Sequence, residues 1–382
     1  MEMDANIHIE RSNTPREIPG SRVRVAFGAG TLNHLGEIAA ALGGQRVLLV
    51  SDAGIVAAGH VERAVRSLYQ AKVMVRVFDS VEENPTTVHV DRGLRAAQSF
   101  KPDMIVGLGG GSSMDCAKGV NFLLSNGGTM QNYWGINKAT APMLPMIAIP
   151  TTAGTGSEAQ SFALITDPQT HQKMACGDSK ALPRVAILDP ELTATQPPRV
   201  AAATGIDAVA HAVETCATTK RTEVSRRFSR AAWQLLESSF EQSMRDPTNI
   251  GAREQMQVGA HLAGAAIENS MLGAAHALAN ALTAQFGIVH GVAVGLMLPH
   301  VIRFNGMTDA PYEDLGLSAI DLSHRVAAML EAGGIPSRLR DLSVMPDAAD
   351  PLAAIAAKQW TATFNPRPVD EAALRAIFVA AM

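Results

Sequence analysis

The first half of the chain alternates short apolar runs with segments of helical length. The runs are apolar or rich in β-branched residues and lie at 22–27, 46–52, 73–79, 103–111, 143–150 and 184–189. Segments such as 58–70 and 87–100, which lie between them, have the length and composition of helices. Alternation of strand and helix predicts an α/β fold with a largely parallel sheet covered by helices.

The pattern changes after residues 189–192, where β-branched runs become rare. From about residue 195 the chain is rich in Ala, Leu, Met and charged residues, as expected of helices. Helices are predicted at 199–218, 222–245, 251–270, 273–286, 321–332 and 370–381. We therefore predict an α/β domain over residues 1–193 and an all-helical domain over residues 194–382, with Pro197 and Pro198 just inside the second.

Composition narrows the class of protein without identifying it. A chain of 382 residues with 47% hydrophobic content has enough apolar material for two globular domains. Its net charge of −4 and the lack of a dense Lys/Arg run argue against a nucleic-acid partner. The three cysteines have no CxxC spacing, which favours a reducing compartment. The polar N-terminus and the lack of a long apolar run predict a cytoplasmic protein without a membrane span.

A glycine-rich turn, GLGGGSSMDCAK at 107–118, follows one predicted strand and opens a predicted helix. Glycines let the backbone approach a pyrophosphate, and the helix N-terminus supplies free N–H donors. The pattern is not a complete G-x-G-x-x-G, since Ser112 takes the place of the final glycine. The turn therefore predicts a phosphate site, although purely steric glycine turns of this kind also occur in α/β proteins.

Two other segments support a nucleotide site. Asp52 ends a predicted strand, where its carboxylate could accept hydrogen bonds from an adenosine ribose or could cap the next helix. The loop IPTTAGTGSE at 149–158 offers Thr151, Thr152 and Thr155 to a cofactor, or is an ordinary turn rich in hydroxyl side chains. An acidic Asp52 would repel a 2′-phosphate, so we expect NAD(H) rather than NADP(H).

Four potential metal ligands lie in the second half: Asp207, His211, His276 and His290. The spacing i, i+4 places Asp207 and His211 on one face of a helix, where a simple hydrogen bond between them is the alternative. One carboxylate and three imidazoles suit Fe(II) or Zn(II). Spacing alone leaves His261 and His300 as competing candidates.

Together the motifs resemble the iron-containing (group III) alcohol dehydrogenase family. The resemblance covers nearly the whole chain in order. The matching segments are VAFGAG (25–30), ENPT (83–86), GGGSSMDCAK (109–118), IPTTAGTGSE (149–158), AATGIDAVAHAVE (202–214), GAAHALANAL (273–282), VHGVAVGLMLPHVIRFN (289–305) and TATFNPRP (361–368).

The resemblance implies a dinucleotide-binding domain and a helical metal-binding domain, the architecture shared with dehydroquinate synthase-like proteins, with an active-site cleft between them. It implies that Asp207, His211, His276 and His290 hold one divalent metal, Fe(II) or in some members Zn(II). The implied activity is reversible hydride transfer between a small primary alcohol and NAD, in a homodimer or larger homo-oligomer. The implied cofactor contacts are Asp52, Asn84, Gly109, Gly110, Gly111, Ser112, Asp115, Thr151, Thr152, Thr155, Leu164 and Lys173.

One position departs from the family. Members commonly carry a second histidine four residues after the third ligand, and this chain has Asn280 there. Asparagine does not titrate near neutral pH, so acid–base work at that place would pass to another group. Asn280 and Phe162 are candidate residues of the substrate pocket, and Phe162 could equally belong to the core. Maleylacetate reductase-like or polyol dehydrogenase activity, and a cofactor-binding protein impaired in catalysis, remain alternatives.

Overall fold

A computed structural model describes residues 7, 9–170, 172–307 and 311–382. The described chain forms two compact units: one contains residues 9–152 and 156–196, and the other contains Ile7, residues 153–155 and residues 197–382. The change of unit after Gln196 lies close to the predicted boundary at residue 193. The division into two domains, residues 1–193 and 194–382, stays a prediction.

The first unit contains ten strands and seven helices among its described residues. The strands are β1 (Ser12–Arg16), β2 (Arg24–Phe27), β3 (Arg46–Asp52), β4 (Met74–Val81), β5 (Met104–Gly109), β6 (Gly135–Ile136), β7 (Met146–Pro150), β8 (Phe162–Thr166), β9 (Lys173–Gly177) and β10 (Val185–Leu188). The helices are α1 (Leu35–Ala41), α2 (Ala53–Ala57), α3 (His60–Gln70), α4 (Thr87–Phe100), α5 (Gly111–Asn126), α6 (Met130–Tyr133) and α7 (Pro190–Thr193).

Seven of these strands form the main sheet, in the order β1-β2-β10-β7-β5-β3-β4. All neighbours in it pair in parallel except β1, which runs antiparallel to β2. The predicted parallel sheet and its six strands are confirmed. Chain order reverses beside β3, because β4 lies on one side of it and β5 on the other. In such sheets a ligand site lies at the carboxyl ends of the strands around this reversal.

Side chains of the central strands alternate between two buried cores. Val47 and Leu49 of β3 pack with α1 and α3 on one face, whereas Leu48 and Val50 pack with α4 and α5 on the other. Successive strand residues point to opposite faces, so a strand covered on both sides must be apolar throughout. This is why the interior strands of the main sheet could be recognised as short apolar runs.

A second sheet, ordered β6-β9-β8, was not anticipated. Its strands β8 and β9 are antiparallel and their register pairs Phe162 with Gly177. The edge strand β1 was also missed, because its sequence SNTPR is polar and contains Pro15. An edge strand tolerates proline, since one side of its backbone needs no ladder hydrogen bonds.

The second unit consists of helices and short 3-10 turns among its described residues. The helices are α8 (Pro198–Ala217), α9 (Glu223–Arg245), α10 (Ile250–Glu268), α11 (Ala274–Phe286), α12 (His290–Asn305), α13 (Ala319–Ala332), α14 (Ala349–Ala356) and α15 (Glu371–Ala380). All six helices predicted for this half are present. No helix of the described chain is long and apolar enough to cross a membrane.

Helix α12 passes very close to α8, and glycine makes the approach possible. A Cβ atom at Gly291 would lie 2.0 Å from the carbonyl oxygen of Ala203, and one at Gly295 would lie 2.9 Å from the side chain of Ile206. Both distances are shorter than a van der Waals contact. The two glycines therefore fix how near α12 lies to α8.

We expect Gly291→Ala to destabilise the protein by about 1–3 kcal/mol or more, because backbone must move to admit the new methyl group. Urea unfolding followed by circular dichroism measures the change. Gly251→Ala is the matched control, since its Cβ would meet only the Asn249 Oδ1 atom at 3.4 Å in helix α10. Equal stability of the two variants would contradict the close-packing argument.

Candidate functional site

Helix α8 presents Asp207 and His211 on one face, one turn apart. The Nε2 atom of His211 lies 3.5 Å from the Oδ1 atom of Asp207. This separation exceeds the 2.7–3.2 Å of an N–H···O hydrogen bond. Asp207 and His211 therefore do not form the hydrogen bond that the sequence left open as an alternative to metal binding.

His276 on α11 and His290 on α12 approach the same oxygen. The Asp207 Oδ1 atom lies 3.5 Å from the His276 Nε2 atom and 4.0 Å from the His290 Nε2 atom. In a tetrahedral site with metal–ligand bonds of about 2.0–2.1 Å, neighbouring ligand atoms lie about 3.3–3.4 Å apart. The observed separations are thus too long for hydrogen bonds and close to the edges of a coordination tetrahedron.

Burial makes this convergence costly without a cation. The side chains of Asp207, His211 and His276 are only 4–6% exposed, whereas that of His290 is 32% exposed. Neither the Asp207 Oδ1 atom nor the His276 Nε2 atom has a hydrogen-bond partner in the described chain. Buried polar atoms are normally satisfied, so these two atoms fit a bound ion. The more exposed His290 marks the side on which a substrate oxygen could approach.

The cluster also perturbs the protonation of its members. Burial raises the pKa of the Asp207 carboxyl, but the imidazoles of His211, His276 and His290 outweigh burial and hold it below its usual value. Burial lowers the pKa of His276, but Glu214 and Asp207 outweigh burial and raise it to about 9. The lowered pKa keeps the Asp207 carboxylate ionised near neutral pH.

Glu214 is a member of this site that the sequence reasoning missed. It is 5% exposed and follows Asp207 by seven residues, on the same face of α8. Its Oε2 atom lies 2.5 Å from the Nδ1 atom of His276, and its Oε1 atom accepts a hydrogen bond of 2.7 Å from the backbone N–H of Ala275. The spacing i, i+4, i+7 over Asp207, His211 and Glu214 is the signal that could have revealed it.

A second polar group, Asn365, holds the same end of α11. The N-cap residue of α11 is Gly273, which has no side chain to offer, and the backbone N–H of Ala274 donates to the Asn365 Oδ1 atom at 3.3 Å. Asn365 in turn exchanges hydrogen bonds with Asn305, at 2.7 and 3.2 Å. The helix that carries His276 is thus capped by residues from distant parts of the chain.

The competing histidines do not join the cluster. Among the described residues, the group of three or more His, Cys, Asp or Glu atoms close enough to share a metal is Asp207, His276 and His290, within 4.8 Å of one another. His211 is not part of this group, although its Nε2 atom lies 3.5 Å from the Asp207 Oδ1 atom, and its role as a ligand stays a prediction. Asn280 lies one turn after His276 on α11, and its Nδ2 atom donates to the Gln359 Oε1 atom at 3.2 Å.

In the α/β unit, the predicted cofactor residues gather at the carboxyl ends of neighbouring strands. Asp52 ends β3, Gly109 ends β5, and Thr151 follows β7. Residues 109–112 lead into α5, whose N-cap is Gly110. The backbone N–H of Thr151 donates to the Gly109 carbonyl at 3.0 Å. Thr152 lies beside Gly110, and Thr155 belongs to the short stretch 153–155 grouped with the helical unit.

Asp52 caps a helix, which is one of the two roles that the sequence left open, and its ribose role stays a prediction. Its Oδ1 atom accepts a hydrogen bond of 3.1 Å from the Ile55 N–H and so caps α2. Its Oδ2 atom accepts one of 2.9 Å from the Ser113 hydroxyl at the start of α5. Gly109 lies between them with φ +150°, and a Cβ there would lie 2.6 Å from the Ser113 Oγ atom. Only glycine fits this turn, whatever ligand it holds.

Asn84 and Lys173 lie together at the surface. The Lys173 Nζ atom donates to the Asn84 Oδ1 atom at 3.1 Å, and the Asn84 N–H donates to the Ser112 hydroxyl at 3.3 Å. Asn84 has φ +53°, a conformation that asparagine tolerates better than most residues. These contacts link two of the predicted cofactor residues to the glycine-rich turn.

Asp115 is held inside the protein by several partners. Its Oδ1 atom accepts from the Ser157 hydroxyl at 2.7 Å, and its Oδ2 atom accepts from the Leu164 N–H at 3.2 Å. Lys118, fully buried, lies 3.8 Å from the same carboxylate and donates to the Ser157 and Phe162 carbonyls at 2.7 and 2.8 Å. Burial raises the pKa of Asp115, and Lys118 opposes that rise.

Lys118 is the last residue of the glycine-rich motif at 107–118, but the sequence did not lead us to assign it a role. A lysine is almost never fully buried unless it is paired, so its position in the apolar face of α5 was a usable signal. Phe162, the tentative pocket residue, packs its ring against Gly177 on the neighbouring strand, where a Cβ would lie 2.4 Å from the ring. That contact is the core packing considered from the sequence, and a pocket role stays a prediction.

A glycine turn beside the strand reversal of a parallel sheet, and four converging ligand-type side chains in a helical unit, are features of a metal-dependent, nucleotide-using oxidoreductase. The family described as iron-containing alcohol dehydrogenase matches residues 22–190, and its C-terminal domain matches residues 201–382. The chain belongs to the iron-containing alcohol dehydrogenase family.

Individual relatives agree with this membership. The chain is 35% identical over 368 residues to 1,3-propanediol dehydrogenase from Klebsiella pneumoniae, covering 92% of this chain and 95% of that protein. It is 32% identical over 355 residues to NAD-dependent methanol dehydrogenase from Bacillus methanolicus, covering 89% and 93%. A crystal structure of 1,3-propanediol oxidoreductase superposes with a TM-score of 0.90 at 34% identity, covering 95% of this chain and 98% of that one. The protein is therefore an alcohol dehydrogenase, and dependence on a metal and NAD is characteristic of its family.

We expect Lys118→Met to lower the free energy of unfolding by about 3–5 kcal/mol, because it leaves the buried Asp115 carboxylate without its cation. Urea unfolding measures the loss. Lys138→Met, at an exposed lysine of the same unit, is the control and should stay within about 0.5 kcal/mol of wild type. If Lys118→Met is as stable as that control, the buried pair of Lys118 and Asp115 contributes nothing to the free energy of unfolding.

Proposed function

We propose that the protein is an NAD(H)-dependent alcohol dehydrogenase and aldehyde reductase whose Asp207, His211, His276 and His290 hold one divalent metal, Fe(II) in the cell. The observation that carries the proposal is the set of three separations from the Asp207 Oδ1 atom, 3.5, 3.5 and 4.0 Å. One carboxylate with three imidazoles suits Fe(II) and also accepts Zn(II).

A metal held by these residues would act as a Lewis acid and polarise the oxygen of an alcohol or aldehyde. The chain's own groups supply position and electrostatics. Buried Asp207 provides the negative charge that retains the cation, and the stacked rings of His211 and His276, with centroids 4.9 Å apart, hold two nitrogens toward one point. His290, whose side chain is 32% exposed, is the ligand beside which we expect a small substrate to bind.

NAD(H), when bound, accepts or donates the hydride, and the α/β unit contributes its binding site. The free N–H groups at the start of α5 suit the pyrophosphate. Asp52 keeps lone pairs available for the ribose hydroxyls while its present hydrogen bonds to Ile55 and Ser113 fix its orientation. Asn84, residues 109–112, Asp115, Thr151, Thr152, Thr155, Leu164 and Lys173 complete the proposed contacts.

For the substrate, we propose small primary alcohols and their aldehydes. The support is the names of the relatives, which include a 1,3-propanediol dehydrogenase and a methanol dehydrogenase. A panel of aldehydes assayed for NADH oxidation, with chelator and with added Fe(II) or Zn(II), tests this. Preference for maleylacetate or a polyol would assign the alternative activities, and metal-loaded protein that turns over no substrate would identify an impaired enzyme.

Asp207→Ala should abolish stoichiometric metal binding and reduce kcat/KM by at least about 100-fold. Lewis-acid stabilisation contributes several kcal/mol, and each 1.4 kcal/mol is a factor of ten. Metal analysis of anaerobically purified protein and steady-state kinetics measure the two effects. Asp347→Ala, an exposed aspartate in the same unit, should keep both properties. Full turnover of Asp207→Ala in metal-free buffer would refute the metal assignment.

Asp52→Asn tests the choice of nucleotide. The wild type should use NADH with higher kcat/KM than NADPH, because a carboxylate repels the 2′-phosphate. Asparagine caps a helix as well as aspartate does, so the variant removes charge while preserving the α2 cap. We expect the NADH-to-NADPH ratio to fall about tenfold or more, which corresponds to about 1.4 kcal/mol. A wild type that prefers NADPH would reject the proposal.

We also propose that the protein works in the cytoplasm as a homodimer or larger homo-oligomer. The three cysteines are buried and form no disulfide, as in proteins of reducing compartments. Light scattering coupled to size-exclusion chromatography would determine the assembly state, and a monomer would exclude the second part of this proposal.

A further inference from the structure

We infer that Glu214 is a positioning residue that sets both the tautomer and the orientation of the metal ligand His276. The inference rests on the proposed metal site and concerns a residue outside the predicted ligand set. Glu214 is buried, and each of its two oxygens is engaged on the α11 side: Oε2 with the His276 Nδ1 atom at 2.5 Å, and Oε1 with the Ala275 N–H at 2.7 Å.

The chemistry of these two contacts fixes the direction of each hydrogen bond. The backbone N–H of Ala275 can only donate, and an ionised carboxylate can only accept. The Nδ1 atom of His276 must therefore carry the hydrogen that it shares with Glu214. A metal binds the neutral imidazole, in which one nitrogen is the donor and the other has the lone pair. The lone pair then lies on Nε2, the atom that faces Asp207 Oδ1 at 3.5 Å.

The same carboxylate also fixes the place of the ring. Ala275 is the residue before His276, so one side chain holds both the backbone just before the ligand and the far side of its ring. Asn365 holds the preceding N–H, that of Ala274. Helix α11 begins at Gly273 without a side-chain cap of its own, so Glu214 and Asn365 provide that function. A ring anchored in this way needs little reorganisation when a metal binds.

Glu214→Gln separates this role from simple space filling, because glutamine has nearly the same volume. Its amide oxygen can accept from the Ala275 N–H, but then its NH₂ group faces His276 Nδ1 and demands an acceptor there. The hydrogen of a neutral His276 would move to Nε2 and block the ligand position. If the amide is turned over, its NH₂ group instead opposes the Ala275 N–H. The first orientation keeps both hydrogen bonds but places the hydrogen on the ligand nitrogen, and the second keeps the ligand tautomer but loses the Ala275 contact.

Glu214→Asp is the complementary variant. Aspartate keeps a carboxylate that only accepts, so the tautomer of His276 is preserved, but the side chain is shorter by one methylene. If Glu214 acts through hydrogen-bond direction, the Gln variant is more damaging to metal binding than the Asp variant. If it merely fills space, the order is reversed, since Gln matches the wild-type volume better.

The test measures metal affinity without reference to turnover. Zn(II) affinity is determined by competition with a chromophoric chelator, and Co(II) substitution reports coordination through the intensity of its visible absorption. We expect Glu214→Gln to weaken Zn(II) binding about 10- to 100-fold, as loss of such partners typically does, and to weaken the tetrahedral Co(II) bands. We expect Glu214→Asp to lose less affinity and to keep those bands.

Glu254→Gln is the matched control, since Glu254 is a buried glutamate on α10, a helix that carries no predicted ligand. It should bind Zn(II) like wild type. Wild-type affinity in Glu214→Gln, or a larger loss in Glu214→Asp than in Glu214→Gln, would overturn the inference. If Glu214→Gln does not fold, Glu214→Asp decides alone: intact tetrahedral Co(II) bands support the role, because the direction of the hydrogen bond is preserved, and loss of those bands contradicts it. Failure of wild type to bind any metal would instead refute the proposed function.

Discussion

The helical unit is organised around a buried carboxylate, Asp207, that faces three imidazoles without forming a hydrogen bond to any of them. Such an arrangement is unfavourable in isolation, because a buried charge must be compensated. Its separations are those of ligands around a common ion. The packing of the helices must therefore be strong enough to hold these polar groups together. Binding of the proposed metal would recover the stability that the fold loses at this point, since binding to the folded state alone stabilises that state.

Small residues allow the helices to come close enough. Gly291 lies directly after a predicted ligand and lets the backbone of α12 reach the carbonyl of Ala203 on α8. Long side chains at this position would move His290 away from Asp207. Polar groups then fix the position of the start of α11. Glu214 and Asn365 accept hydrogen bonds from its first N–H groups, and Asn305 binds Asn365. Two of the motifs that identified the family, 289–305 and 361–368, thus meet through a pair of asparagines.

The sequence predicted the parallel sheet because each of its interior strands is buried on both faces and so is apolar throughout. It predicted six helices of the second unit from composition and length. Helix α12 was absent from that prediction, since Gly291, Gly295 and Pro299 all lower helix propensity and its stability comes from contacts with α8. The strand β6 was missed because it has only two residues and its pairing with β9 joins residues far apart in sequence, which leaves no local pattern to detect. The strands β8 and β9 pair locally, Thr166 with Lys173, but β9 has the sequence KMACG and contains no β-branched run.

In the candidate site, some residues were predicted from sequence motifs and others were found only from their burial in the structure. Spacing pointed to Asp207 and His211 as candidate metal ligands, whereas the resemblance to the family selected His276 and His290 over His261 and His300. Glu214 and Lys118 lie in the motifs at 202–214 and 109–118, but the sequence did not lead us to assign them a role. Both are buried, charged and bonded to two or more partners. A buried charged side chain is costly unless it organises its surroundings. Glu214 orders the start of α11, and Lys118 with Asp115 orders the segment from Ser157 to Leu164. In each unit, a charge withdrawn from solvent thus holds the backbone next to residues proposed to bind metal or nucleotide.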